Sequence, residues 1–98
     1  MDRDRVLSKL REHEAELRAA GIMTLSLFGS VARGDASDES DVDLMVDFDR
    51  AKRLSLLGAV GLENKLSDIL GLKADLSQRE MLKPDVLQRA TREAVRVF

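Results

Sequence analysis

Two stretches of this chain hold the residue types that phosphate and metal chemistry need. The first is Phe28-Gly29-Ser30-Val31-Ala32-Arg33-Gly34. Gly29 ends an apolar run and lets a backbone approach a ligand closely, while Ser30 adds a hydroxyl beside the amides of a short predicted helix. Together they form a candidate phosphate cradle. Gly29 and Gly34 have the spacing of a P-loop, but Asp35 and Ala36 stand where Lys and Ser or Thr are required, and no G-x-G-x-x-G occurs. The second stretch is Ser40-Asp41-Val42-Asp43-Leu44. Asp41 and Asp43 leave the same face of a strand with Cα atoms roughly 6.5 to 7 Å apart, so both carboxylates can lean onto one cation. An acidic strand end that is merely solvated is the alternative. The crowding of Asp35, Asp38, Glu39, Asp41 and Asp43 disfavours it in the absence of a cation.

A third carboxylate, Asp75, belongs to the polar side of a later strand and joins the other two if that strand neighbours theirs. Three carboxylates suit a two-metal phosphoryl or nucleotidyl transfer, in which ions about 3.5 to 4 Å apart clamp the attacking and leaving oxygens. Asp75 could then take the proton of the attacking hydroxyl, directly or through a metal; otherwise it is an ordinary polar residue at a sheet edge. Arg33 has two readings of equal weight. It neutralises phosphate charge, or it ties its loop to a nearby carboxylate.

Positioning these residues requires an alternation of helices and strands, and the sequence supplies one. Val6, Leu7, Leu10 and Leu17 recur at helical spacing over residues 3–20, with Gly21 at the capping position. Ile22 to Phe28 is short and β-prone, residues 30–33 can begin a helix, and 34–40 has the small, polar composition of a loop. Asp41 to Phe48 alternates, with Val42, Leu44 and Val46 on an apolar face and Asp41, Asp43 and Met45 on the other. A helix over about 51–70 closes on Gly71, a strand is predicted over 72–77, and Pro84 opens a last helix from about Asp85 to Val97. The fold class implied is α/β (α+β), one domain over residues 1–98, with a small mixed sheet of three to four strands covered by helices.

Composition narrows the function further. The chain has 98 residues, 44% of them hydrophobic, which suits one core. Its net charge of −2 gives no basic field, so direct nucleic-acid binding is not expected. It has no cysteine and a single histidine, His13, so a bound cation must rest on oxygen ligands, which favours Mg²⁺ or Mn²⁺ over zinc. With no long apolar run, a cytoplasmic location without membrane association is the expectation. His13 reads as a solvated helix residue, the methionines as core or sheet-face filling, and Arg89, Arg92 and Arg96 as an exposed helical face.

The arrangement of Gly29, Ser30, Ala32, Arg33, Gly34, Ser40, Asp41 and Asp43 resembles the G-S-x-A-R-G … S-D-x-D pattern of the DNA polymerase β-like nucleotidyltransferase superfamily, and within it the minimal, MntA-like group. Leu70-Gly71-Leu72-Lys73-Ala74-Asp75-Leu76 resembles the family's later strand with its third carboxylate, except that Ala74 replaces a β-branched residue. The resemblance implies that Gly29, Ser30, Ser40 and Arg33 surround the triphosphate of ATP. It also implies that Asp41, Asp43 and Asp75 ligate Mg²⁺, with two ions expected, and that Asp75 serves as base. It further implies an antitoxin that adenylylates a HEPN-domain toxin, expected on a tyrosine, within a hetero-oligomer. Neutralisation of the toxin by binding alone and nucleotidyl transfer to a small molecule are the alternatives.

Overall fold

A computed structural model describes residues 2–98, and its elements follow the chain in the order helix, helix, strand, helix, strand, helix, strand, helix, strand. Helix α1 (Arg3–Glu12) is started by the Asp2 side chain, which accepts from the Arg5 amide. The predicted helix over 3–20 is broken at His13, whose ring Nδ1 turns back to the Lys9 carbonyl at 2.9 Å, and resumes as α2 (Glu14–Ala19). The interruption falls where Glu14 breaks the apolar stripe, and the two pieces bury Val6, Leu7 and Leu10, then Leu17.

Strand β1 (Ile22–Phe28) has the predicted limits. It leads into α3 (Gly29–Arg33), a five-residue helix ended by Gly34 at φ 85°, in the left-handed region that glycine adopts freely. Strand β2 (Val42–Phe48) is antiparallel to β1, with Phe28 opposite Asp43 and Thr24 opposite Asp47. A 3₁₀ turn at Arg50–Lys52 and an extended stretch precede α4 (Leu56–Leu70), so the predicted helix over 51–70 starts later, at a Ser55 cap that accepts from the Gly58 amide. Strand β3 (Ala74–Gln78) then runs parallel to β2.

The last helix differs from its predicted limits. Helix α5 (Pro84–Glu93) stops at Glu93, and Ala94 turns extended. Val97 is therefore not helical, and Arg96 leaves the arginine face expected of that helix. The β-branched alternation of Val95 and Val97 favours pairing instead: β4 (Val95–Arg96) lies antiparallel to β1, and the Val97 amide donates to the Leu25 carbonyl at 2.8 Å. The sheet order is β3-β2-β1-β4, a small mixed four-stranded sheet of the expected α+β kind.

The apolar face of β2 meets the core as its alternation predicts, with Val42, Leu44 and Val46 buried among Leu10, Leu25, Leu27, Leu62 and Leu66. Met45, on the opposite face, is also buried, opposite Ser26 and Ser77, so that face is not uniformly charged. Among the described residues, no helix is long and apolar enough to cross a membrane.

Candidate active site

The sheet topology decides which carboxylates meet. Because β2 and β3 are parallel neighbours, Asp43 and Asp75 are register partners. Their side chains therefore leave the same face about 4.8 Å apart at the backbone. Asp41, just before β2, is exposed and stands 4.0 Å from the Lys73 ammonium. Across the other edge of β2, β1 ends at Phe28 opposite Asp43, which brings the Gly29-Ser30 turn beside that carboxylate.

Gly29 is required here by space as well as by conformation. Its φ of 76° lies in the left-handed region, and a Cβ at this position would collide with the Asp43 carboxylate oxygen. Glycine thus lets the Gly29-Ser30 turn lie directly against Asp43. That carboxyl is half-buried, and burial is the largest cause of a pKa above the ordinary carboxylate value, followed by the negative charges of Asp75 and Asp41, with a lesser contribution from Glu93; Arg33 opposes the rise. No hydrogen-bond donor among the described residues meets it. A half-buried carboxylate surrounded by like charges is favourable once a cation arrives.

Arg33 resolves toward pairing in this structure. Its Nε donates to Asp35 at 3.1 Å and its Nη1 to Glu93 at 3.0 Å, and these bonds hold it still more firmly protonated. The Glu93 side chain also accepts from the Gly29 amide at 3.3 Å. Glu93 was not among the residues the sequence singles out; it lies far from Gly29 along the chain, and only the end of α5 brings it back. Ser40 accepts from the Ser37 amide at 3.0 Å and so braces its own acidic loop.

The residues fit a magnesium ion. The available donors are carboxylate oxygens, the ligand type such an ion takes, and the Asp43 carboxylate itself fills the place a Gly29 side chain would occupy. Among the described residues, no group of three or more acidic or histidine side chains is already gathered closely enough to hold an ion. Asp41, Asp43 and Asp75 share an end of the sheet without closing into a cage, which mutual repulsion explains. An apolar groove lies elsewhere, at the opposite ends of β2 and β3, lined by Phe48, Leu56, Val60, Leu76 and Met81. It has no carboxylate pair and no phosphate turn.

The chain belongs to the nucleotidyltransferase domain family, whose model matches residues 7–97. It is a nucleotidyltransferase of the minimal, MntA-like kind. It is 39% identical over 95 residues to the protein adenylyltransferase MntA of Thermococcus cleftensis, covering 96% of this chain and 94% of that protein. Its fold is similar to a solved minimal nucleotidyltransferase at TM-score 0.78 and 35% identity, over 97% of this chain and 95% of the other. It is also similar, at TM-score 0.63 and 20% identity over 91% and 70% of the two chains, to a chain from the complex of a tri-AMPylated Shewanella oneidensis HEPN toxin with its MNT antitoxin.

Proposed function

We propose that this nucleotidyltransferase uses Mg²⁺ and ATP to adenylylate a hydroxyl, expected to be a tyrosine, of a HEPN-domain toxin, and thereby acts as its antitoxin. The observation that carries the reading is the Gly29 turn lying against Asp43, with Asp75 in register beside it. Likeness over nearly the whole chain to a protein adenylyltransferase supports a protein acceptor.

In this reading Asp41 and Asp43 hold the cation, while the Ser30 amide and hydroxyl and the free donors of Arg33 hold the phosphates. Mg²⁺ bound there would supply charge neutralisation of the triphosphate. Asp75 takes the proton of the acceptor hydroxyl. The acceptor oxygen bonds to the α-phosphorus as the bond from that phosphorus to the bridging oxygen breaks, and pyrophosphate leaves. A docked protein holds its hydroxyl near the α-phosphate and makes the step effectively unimolecular. This chain has no tyrosine of its own, so self-modification of that residue type cannot mimic the reaction.

One observation favours a second reading, in which the chain neutralises its partner by binding alone. Arg33 is already paired by two carboxylates, and the three aspartates are not gathered into a ligand set. Intact-mass spectrometry of the partner, mixed with this protein, ATP and Mg²⁺, separates the two. The expected result is a mass increase by AMP units with a parallel fall in ribonuclease activity. A partner that is inhibited on mixing yet never gains mass establishes the binding reading instead.

A further inference from the structure

Glu93 is the last residue of α5, and both of its carboxylate oxygens are engaged at the phosphate turn. Oε2 accepts from the amide of Gly29, the first residue of α3, and Oε1 accepts from Arg33, the last. One side chain thus grips both ends of a five-residue helix. Its side chain is 29% exposed, against 61% for Asp35, the other partner of Arg33, so Glu93 is the more sheltered of the two anchors.

The C-terminal segment is also held by contacts that do not involve Glu93. β4 is paired to β1 through Ser26 and Leu27, the Val97 amide donates to Leu25, and Arg11 donates to the carbonyls of Arg96 and Val97 at 2.8 and 2.9 Å. A fourth acidic group beside Asp41, Asp43 and Asp75 is electrostatically unfavourable, and such local conflicts collect where function requires them.

What the contact leaves available is informative. A guanidinium has five N–H donors, of which Asp35 and Glu93 take two, so three remain on a group whose orientation is now fixed.

We propose that Glu93 is the positioning residue of the nucleotide site, setting the orientation in which Arg33 and the Gly29-Ser30 turn meet the triphosphate. The inference rests on the nucleotidyl-transfer reading above and assigns Glu93 no contact with the reacting atoms. Residues that orient ligand-holding groups typically govern affinity or rate by about 10- to 100-fold.

The test is titration of Mg-ATP, with melting curves, for the wild type and for Glu93→Ala, Glu93→Gln, Arg33→Ala and the Arg33→Ala/Glu93→Ala pair. Glu93→Ala is expected to weaken binding by about 10- to 100-fold. Glu93→Gln recovers part of the loss, since its carbonyl oxygen can serve one of the two donors but not both. The double variant loses less than the product of the single losses, because Glu93 acts through Arg33. Glu93 variants that melt earlier yet bind Mg-ATP as the wild type does would overturn the proposal in favour of a purely structural contact. Tighter binding by Glu93→Gln would also overturn it, making Glu93 a competitor of the phosphates, and this arm holds even if Glu93→Ala does not fold. A wild type that does not bind Mg-ATP sinks the nucleotide site itself and this inference with it, an outcome readable before any variant is made.

Discussion

Asp43 and Asp47 sit on the same face of the same strand, and the structure gives them opposite surroundings. Asp47 accepts from the Thr24 hydroxyl at 2.6 Å and from Arg79 Nε at 3.1 Å. Asp43 has no donor among the described residues and faces Asp75 across the parallel ladder, with Asp41 and Glu93 adding to the repulsion. Both positions have neighbours on β1: Thr24 opposes Asp47 and Phe28 opposes Asp43. The strand therefore pairs one carboxylate and leaves the other without a donor at the end proposed to take a cation. The contrast singles out the end of the sheet proposed for the chemistry, whereas an apolar groove lies at the other end.

The largest expected effect sharpens the contrast within the acidic end itself. Asp75 is exposed and in register with Asp43, and in the proposed role of base it would affect the reaction more than binding. Asp75→Asn is expected to slow transfer by roughly 10² to 10⁴ while keeping much of the Mg-ATP affinity. Single-turnover rates measured beside binding isotherms check it, and transfer at wild-type speed would remove Asp75 from the chemistry.

A smaller effect, on stability, should have opposite signs at the two aspartates. The Asp43 carboxyl holds its proton more tightly in the folded protein than in the unfolded chain, where the ordinary value is 3.8. The stability this confers is complete below that value and is lost as pH rises through the higher folded value. In metal-free buffer Asp43→Asn should therefore melt above the wild type at neutral pH, and the difference should shrink as pH falls toward the ordinary carboxylate range. Asp47→Asn loses a half-exposed, charge-assisted contact worth about 1 kcal/mol, and should melt about 4 to 8 °C lower. Melting curves between neutral and acid pH check both, and equal signs for the two variants would dissolve the comparison.

The grouping at the acidic end was largely legible in sequence because its parts are local. Gly29, Ser30, Asp41 and Asp43 fall within a short span, and the alternation of 74–76 placed Asp75 on a polar face before its neighbour was known. Helix ends marked by Gly34 and Gly71 were legible for the same reason, both glycines being left-handed caps. What sequence could not supply was the closing of the chain on itself. β4 is only two residues long and follows an amphipathic helix without a break, so helical periodicity ran through it. The only warning was the β-branched alternation of Val95 and Val97. Glu93 was missed as well, because its partners Gly29 and Arg33 lie 64 and 60 residues away along the chain and are met only when α5 packs back on α3.

The central claim is that the unpaired carboxylate at Asp43 completes a cation-dependent nucleotide site. Calorimetric titration of ATP into the wild type, Asp43→Asn and Asp47→Asn, each with Mg²⁺ and with excess chelator, tests it most directly. Binding is expected only with Mg²⁺ present, retained in Asp47→Asn and lost in Asp43→Asn, because only the latter removes charge that holds the ion. Equal affinity with Mg²⁺ and with chelator, or undiminished binding by Asp43→Asn, would contradict the account.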